Sequence, residues 1–515
     1  MDEILSNPAL GAIVRRAAKL GLILEVARSL ATERDLDRLL SLILAAGAKV
    51  AEADRCSIFL VDRDRNELWT RLAQGMDAGK EIRTPLGVGI VGHVASTGRA
   101  INIPNAYDDA RFNRSVDQDT GYHTQNLLTV PMTIAGGAAS GEAAGLDGGA
   151  VVGVIQVLNR TDQQPFTPED QELLEGLGAQ AAAAIENAVL NQEIRKLFEG
   201  FVQASVTAIE SRDPTTAGHS ERVAKLTIGL AKTLALVPTG EYAGKVFTVD
   251  QIQELRYASL LHDFGKVGVR EHVLVKANKL FPHELAAVEG RFDLIRRTRE
   301  LESAQRCIAL LGPSGAEGIR AALREEDARR LAELAELDRL REFVRACNQP
   351  NVVAGGEYGK LRDYLALQYQ TIGGAPAPYL STDEVERLSI LRGSLSEAER
   401  HEIESHVIHT YEFLRRIPWT RDLRRIPDLA HGHHERLDGS GYPMRLGSDH
   451  IPVETRMMTI SDIYDALTAS DRPYKKAVPH DRALGILEEE AKRGFVDREL
   501  LTIFIEAKVP AKVLG

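Results

Sequence analysis

HGHHERLDGSGYP, residues 431–443, gathers three histidines, a glutamate and an aspartate within eight positions and then closes on Gly-Tyr-Pro. Imidazole and carboxylate donors together suit Fe or Mn, and also Zn, whereas a thiolate site would need cysteines. A single histidine on an amphipathic helix is usually a structural or surface residue. The meaning of this segment therefore depends on whether the rest of the chain supplies partners for it.

Four further stretches do so. SRDPTTAGHSERVA (211–224) carries His219 and Arg222, and LLHDFGKVGV (260–269) carries His262, Asp263 and Lys266. RGSLSEAERHEIESHVIHTYEFL (392–414) carries His401, His406 and His409, and TISDIYDALTASDRPY (459–474) carries Asp462 and Asp465. The pair His262–Asp263 ends the apolar run LRYASLL, where ionisable groups are costly unless paired or bound to a cation. Gly265 reads as a residue that lets the backbone turn, with Lys266 one helical turn after His262. His433–His434 repeats the adjacent pair. Such clusters on separate helices are what a metal site inside a helical bundle looks like.

Composition narrows the field. The chain has 515 residues, 44% hydrophobic and 27% charged. At ~150 residues per domain this is roughly three domain equivalents, and the composition is not that of a disordered chain. The net charge of −11 argues against broad nucleic-acid binding, which needs a cationic surface. It leaves room for a small anionic ligand held at a local metal site. Cys56, Cys307 and Cys347 form no CxxC pair, so neither a disulfide framework nor a zinc ribbon is expected. No uncharged apolar run reaches the ~18 residues of a membrane span. The opening MDEILSNPALGAIVRRAAKLG lacks the apolar core of a signal peptide. A cytoplasmic protein is the expectation.

Along the chain, residues 11–52 read as one or two amphipathic helices with apolar Leu22, Ile23, Val26, Leu30, Leu39, Leu40 and Ile43. CSIFLVD and NELWTRLA flank RDR, a hairpin turn, and LLTVPMTIA and AVVGVIQVLNR flank the Gly/Ala-rich GGAASGEAAGLDGGA. This α/β part ends near residue 165. A long helix then starts at TPEDQE, with Thr167 as N-cap and Pro168 at the first helical position. It suits a rod between domains, a parallel dimer seam, or a core helix plus linker. From residue 205 onward the pattern is helical almost throughout.

HD followed by HHExxDGxGYP is the double signature of the HD-GYP phosphodiesterases, a branch of the HD superfamily, and residues 433–443 match it at every fixed position. The resemblance covers roughly residues 205–280 and 390–515. It implies an all-α bundle that cleaves cyclic di-GMP to pGpG and then often to GMP, through two divalent metals. Fe or Mn suits the donors best, with Zn, Ni or Co as alternatives. Carried over by motif, the metal donors are His219, His262, Asp263, His406, His433, His434 and Asp462, with Asp263 bridging. His406 is preferred to His401 and His409 because it follows the Leu395-to-Glu399 block. Asp263 and Lys266 are the catalytic candidates; Arg222 and Lys266 would meet the phosphates, and Gly441, Tyr442 and Pro443 would line the pocket. A glutamate that holds a third metal in some members is Thr215 here, and Glu210 is a weak substitute. A largely helical insertion near 281–388 has no metal-donor spacing; it reads as a lid, a dimer element or inert decoration, and its His283 as a surface residue. A catalytically inactive sensor of cyclic di-GMP, or an enzyme for another cyclic dinucleotide, are the alternative readings.

GVGIVGHVASTGRAINIPNAYDDARFNRSVDQDTGYHTQNLLTVPM is similar to GAF domains, especially those of cyclic-nucleotide phosphodiesterases and bacterial cyclases, over about residues 20–190. The resemblance implies an antiparallel sheet with flanking helices. The Asn-Lys, Phe, Asp-Glu pattern of nucleotide-binding members appears here as Asn159, Arg160, Phe166, Asp170 and Gln171. Two uses stay open: binding of cyclic AMP or cyclic GMP, or a fold used only for dimerisation. His93 and His123 read as pocket or surface residues. The resulting organisation is a helical segment at 1–19, a GAF domain at 20–190, a linker helix at 167–210 and an HD-GYP domain at 205–515, with a homodimer that binds neither nucleic acid nor membrane as the expectation.

Overall fold

In the computed structural model, which describes residues 8–70, 82–134, 150–212, 217–311, 316–350, 358–469 and 477–514, the alternating segment ADRCSIFLVD forms strand β1 (Ala53–Asp62). Period-two alternation sends Cys56, Ile58 and Leu60 to one face of a sheet and Phe59 to the other. β1 pairs with β2 (Glu67–Thr70), and the register Asp62↔Glu67 leaves Arg63–Asn66 as the turn, one residue longer than RDR. Asn66 closes it in the left-handed region at φ 56°. With β3 (Ile82–Pro85), β4 (Ile101–Ile103), β5 (Leu127–Ile134) and β6 (Ala150–Arg160), an antiparallel sheet of order β3-β2-β1-β6-β5-β4 results. The connection between β5 and β6, residues 135–149, lies outside the described residues.

The chain divides into two compact units, Met1–Glu199 and Gly200–Gly515. In the first, the helix Leu36–Val50 and the start of the helix Pro168–Arg212 cover one sheet face, burying Leu39, Ile43, Leu174 and Leu177 against Ile58, Val130 and Ile155. The helix Gly89–Thr97 covers part of the other face through Val94 and Ala95. Thr167 caps the long helix reciprocally: its hydroxyl accepts from the Asp170 amide at 3.1 Å while its own amide donates to the Asp170 carboxylate at 3.0 Å.

The second unit is helical. The helices His219–Leu234, Val453–Thr468, His480–Lys492 and Arg498–Glu506 bury Leu226, Leu230, Met457, Ile460, Leu487 and Phe504 in one core. The insertion has a core of its own. Its helices Pro282–Leu310 and Ala316–Asn348 pack Val288, Phe292, Leu337 and Val344 with Leu361 and Tyr364. One part of it departs from the helical reading. Gln368–Gln370 pairs antiparallel with Pro376–Pro378. The intervening turn places Gly374 at φ 82° and donates the Gly374 amide to the Thr371 carbonyl at 2.8 Å. Glycine there, followed by prolines that cannot sustain a helix, selects a hairpin.

Candidate metal centre

Each candidate donor sits at an end or on the inner face of a helix in the second unit. His219 opens its helix directly after Gly218, which adopts φ 66°. Glu210 accepts from the amides of Gly218 at 2.8 Å and Ser220 at 3.2 Å, so it holds the start of this helix. Thr215 lies outside the described residues. His262 ends the helix Val249–Leu261, and Asp263 begins the tight turn Phe264–Gly268. His406 opens the helix His406–Leu414, His433 and His434 follow the helix Ile426–His431, and Asp462 lies inside Val453–Thr468.

These positions converge. His219 Nε2 lies 3.2 Å from an Asp462 oxygen and 3.7 Å from Asp263 Oδ2. His262 Nε2 lies 3.4 Å from Asp263 Oδ2, and His406 Nε2 lies 3.3 Å from Asp263 Oδ1. Asp263 thus turns one oxygen to each of two donor groups. His219, His262 and Asp263 have donor atoms within 4.8 Å of one another, as do His406, His433 and His434, and as do His262, His433 and Asp462. His401 and His409 stay outside: His401 pairs with Glu404, and His409 lies beside Ser405. His431 stacks on Tyr411, and His283 on Phe281.

The orientation of the rings tests whether a cation fits. Nδ1 of His262, His406 and His433 faces the carbonyl of Ser259, Ile403 and Ala430, at 2.7, 2.6 and 2.6 Å. A carbonyl only accepts, so Nδ1 carries the proton and Nε2 presents a lone pair. All three Nε2 atoms are buried with no hydrogen-bond partner among the described residues. Buried orphan nitrogens are costly, and three aimed at one locus fit a metal ion. Burial, reinforced by neighbouring imidazoles, keeps His433 well below its ordinary pKa and His434 at about 4; both are in the donor form. Burial would also lower His219, but hydrogen bonds to Asp462 and Asp465 outweigh it and hold it at about 9, so a cation taking its Nε2 would have to displace a proton. Burial would raise Asp263; Lys266 and His262 hold its carboxyl well below the usual range instead.

Around the donors, Lys266 places Nζ 2.7 Å from Asp263 Oδ2. Arg222 directs Nε and Nη2 to Asp465, at 2.7 and 3.1 Å, and Nη1 to the Ala217 carbonyl. Tyr442 brings its ring to 4.9 Å from that of His434. Gly441 is packed so closely that a Cβ would lie 2.7 Å from the Glu435 carbonyl carbon. Glu435 and Asp465 stand in the quoted motifs yet received no role from the sequence. The buried Glu435 carboxylate accepts from the amides of Met444 at 2.6 Å and Leu446 at 2.9 Å, which fixes the segment after Gly-Tyr-Pro. Glu399, a sequence landmark only, accepts two 2.7 Å bonds from Lys276 at the root of the insertion. Gly265 lies in the tight turn Phe264–Gly268, as the sequence suggested. It does not adopt a left-handed φ; it permits close contact with the helix carrying His406, whose carbonyl carbon a Cβ would approach to 2.8 Å.

In the first unit, Asn159, Arg160, Phe166 and Asp170 share a different kind of arrangement. Asn159 accepts from the Gln125 amide at 2.7 Å and donates to the Tyr122 hydroxyl at 2.9 Å. Buried Asp170 meets Lys19 at 3.0 Å and Arg160 at 3.7 Å, and Phe166 lies in the core. They clamp the end of β6 to the N-terminal helix and the long helix. Breaking a buried ion pair from one side costs about 3–5 kcal/mol, so Asp170→Ala is expected to lower the unfolding midpoint of this unit sharply. Thermal melting of the full chain checks this; an unchanged transition would refute the clamp.

Comparison with known proteins follows from these two sites. Residues 35–185 match the GAF domain family, and residues 361–500 match the HD domain family. The chain carries a GAF domain followed by an HD domain. The HD match contains His406, His433, His434 and Asp462 and begins after His219, His262 and Asp263. A probable 3',5'-cyclic phosphodiesterase of Caenorhabditis elegans is 33% identical over 186 residues, 34% of this chain and 24% of that protein. A 3'3'-cGAMP-specific phosphodiesterase of Vibrio cholerae is 43% identical over 97 residues, 19% of this chain and 20% of that protein. The chain spans a quarter or less of the length of these curated relatives. The GAF domain of a phosphoenolpyruvate-protein phosphotransferase from Coxiella burnetii is 20% identical over 35% of this chain and 98% of that one, with a TM-score of 0.29.

Proposed function

We propose that this protein is a metal-dependent phosphodiesterase of the HD-GYP type that hydrolyses cyclic di-GMP to pGpG, GMP or both under the control of its GAF domain. The observation that carries the reading is the set of three buried, unpartnered Nε2 atoms, two of them 3.4 and 3.3 Å from a carboxylate that faces two donor groups. His219, His262, Asp263 and Asp462 would hold one divalent cation; His406, His433 and His434, with Asp263 shared, would hold the other. Fe or Mn suits these donors first. Two such cations supply activation of water and neutralisation of phosphate charge.

The chain's own groups do the rest. Lys266 keeps a positive charge at the edge of the donors, where a phosphate would add negative charge. Tyr442, fixed by the His434 contact and the Glu435 anchor, walls the site. The name of the Vibrio relative supports a second substrate, 3'3'-cGAMP. That of the nematode relative supports a cyclic mononucleotide as GAF ligand. Leu190, Ile194 and Leu197 are solvent-exposed on the long helix at heptad-like spacing, which supports a parallel homodimer. No helix among the described residues is long and apolar enough to cross a membrane.

Anaerobic purification with metal analysis, then incubation with cyclic di-GMP or 3'3'-cGAMP and product chromatography, tests the reading. About two metals per chain with pGpG or GMP as product is the expected result. Metal and substrate bound without product would make the protein a sensor.

A further inference from the structure

We infer that Asp465 is a positioning residue of the metal centre, acting through His219, and that Arg222 serves Asp465 rather than a substrate phosphate. The inference rests on the reading of His219 as a metal donor. The three other histidines with an ordered Nδ1 use a neutral carbonyl three residues back in their own chain segment. His219 is the first residue of its helix and directly follows Gly218. Its Nδ1 instead meets Asp465 Oδ2 at 2.7 Å, from a helix 246 residues later in the chain.

The replacement is chemically different. A carboxylate forms the stronger, charge-assisted bond. It fixes the proton on Nδ1 and makes Nε2 a better donor than a carbonyl would. Both groups are buried, so solvent does not compete for the bond. Asp462 and Asp465 lie three apart on one helix and therefore share a face. Asp462 meets His219 from the Nε2 side at 3.2 Å and Asp465 from the Nδ1 side at 2.7 Å. The ring is held between two carboxylates of a single helix. Arg222 sits three residues after His219 and donates to both Asp465 oxygens, at 2.7 and 3.1 Å. This bidentate grip keeps the second carboxylate from rotating away. The Arg222 side chain is 27% exposed, so the pair forms the rim of the site while its functional end is inside.

Asp465→Asn keeps the shape and can still accept from Nδ1, but removes the charge. The affinity of the metal-free full chain for Mn²⁺ and Co²⁺, by chelator competition, is expected to fall about 10–100-fold at the tighter step. The absorption bands of the cobalt form should shift, which a general loss of stability would not cause; the unfolding midpoint of the metal-free protein is expected to fall as well, because the buried partner of Arg222 loses its charge. Arg222→Gln should weaken metal binding in the same direction. If it instead raises only KM for the dinucleotide and leaves metal affinity alone, Arg222 binds the substrate phosphate and the inference is overturned. Wild-type metal binding matched by Asp465→Asn also overturns it. A wild type that binds no metal removes the functional reading itself, and this inference with it.

Discussion

Replacing His262 and Asp263 together by alanine is expected to abolish both metal content and hydrolysis while leaving the helical signal of the protein intact. The two residues hold the centre at its narrowest point. His262 Nε2 is buried without a partner, and Asp263 is approached by His219, His262, His406 and Lys266. Loss of an outer partner of a metal donor typically costs ~10–100-fold in affinity, and loss of two direct donors, one of them shared, must cost far more. Neither residue lies inside a helix: His262 follows Leu261 and Asp263 precedes the turn Phe264–Gly268. Far-ultraviolet circular dichroism should therefore change little. A ligand at a hundredfold excess over its Kd stabilises a fold by about 2.7 kcal/mol, so Mn²⁺ should raise the melting point of the wild type and not of the variant. Undiminished hydrolysis by the double variant would sink the site.

Two of the candidate donor pairs stood out because ionisable residues end an apolar run or crowd together, whereas His219, His406 and Asp462 were named only by the family resemblance. LRYASLL before His262–Asp263 is the first case, and the density of HGHHE is the second. The strands were legible from period-two alternation: AVVGVIQVLNR is β6 from end to end. What escaped are roles set by pairing across the fold. Asp465 was visible in the motif, but nothing in ISDIYDAL says that its partner is His219, 246 positions earlier. Glu435 was counted with metal-grade side chains, yet it accepts from two backbone amides that only the folded Gly-Tyr-Pro segment presents. Arg222 was linked to phosphate through the family resemblance; its pairing with Asp465, across 243 positions, is not visible in the motif. The hairpin at Gln368–Pro378 was hidden by the helical character of its surroundings, although Gly373-Gly374 and the alternating Ala375-Pro376-Ala377-Pro378 marked it.

Gly265→Ala is expected to be strongly destabilising for so small a change. The added methyl would overlap the carbonyl oxygen of His406 and the amide nitrogen of Thr410, with the His406 carbonyl carbon only 2.8 Å away. These are backbone atoms of a helix, so no rotamer change relieves the overlap. The same approach is tied by Thr410, whose hydroxyl accepts from the Gly265 amide at 2.8 Å and donates to the His262 carbonyl at 3.0 Å. Forcing the turn off the helix breaks both bonds and moves Asp263 away from His406, which separates the two donor groups. Over-packing typically costs 1–3 kcal/mol, and a backbone overlap belongs at or above about 3 kcal/mol on that scale. Gly268→Ala is the internal control. Its methyl meets only the side chain of His409, at 2.8 Å, and His409 is exposed and can rotate. It should change stability by no more than about 0.5 kcal/mol, the usual range for surface substitutions. Denaturant titration of both variants, with metal content measured alongside, separates the outcomes. If Gly265→Ala folds and loads metal like Gly268→Ala, the close apposition of the HD turn and the His406 helix does not hold the centre together.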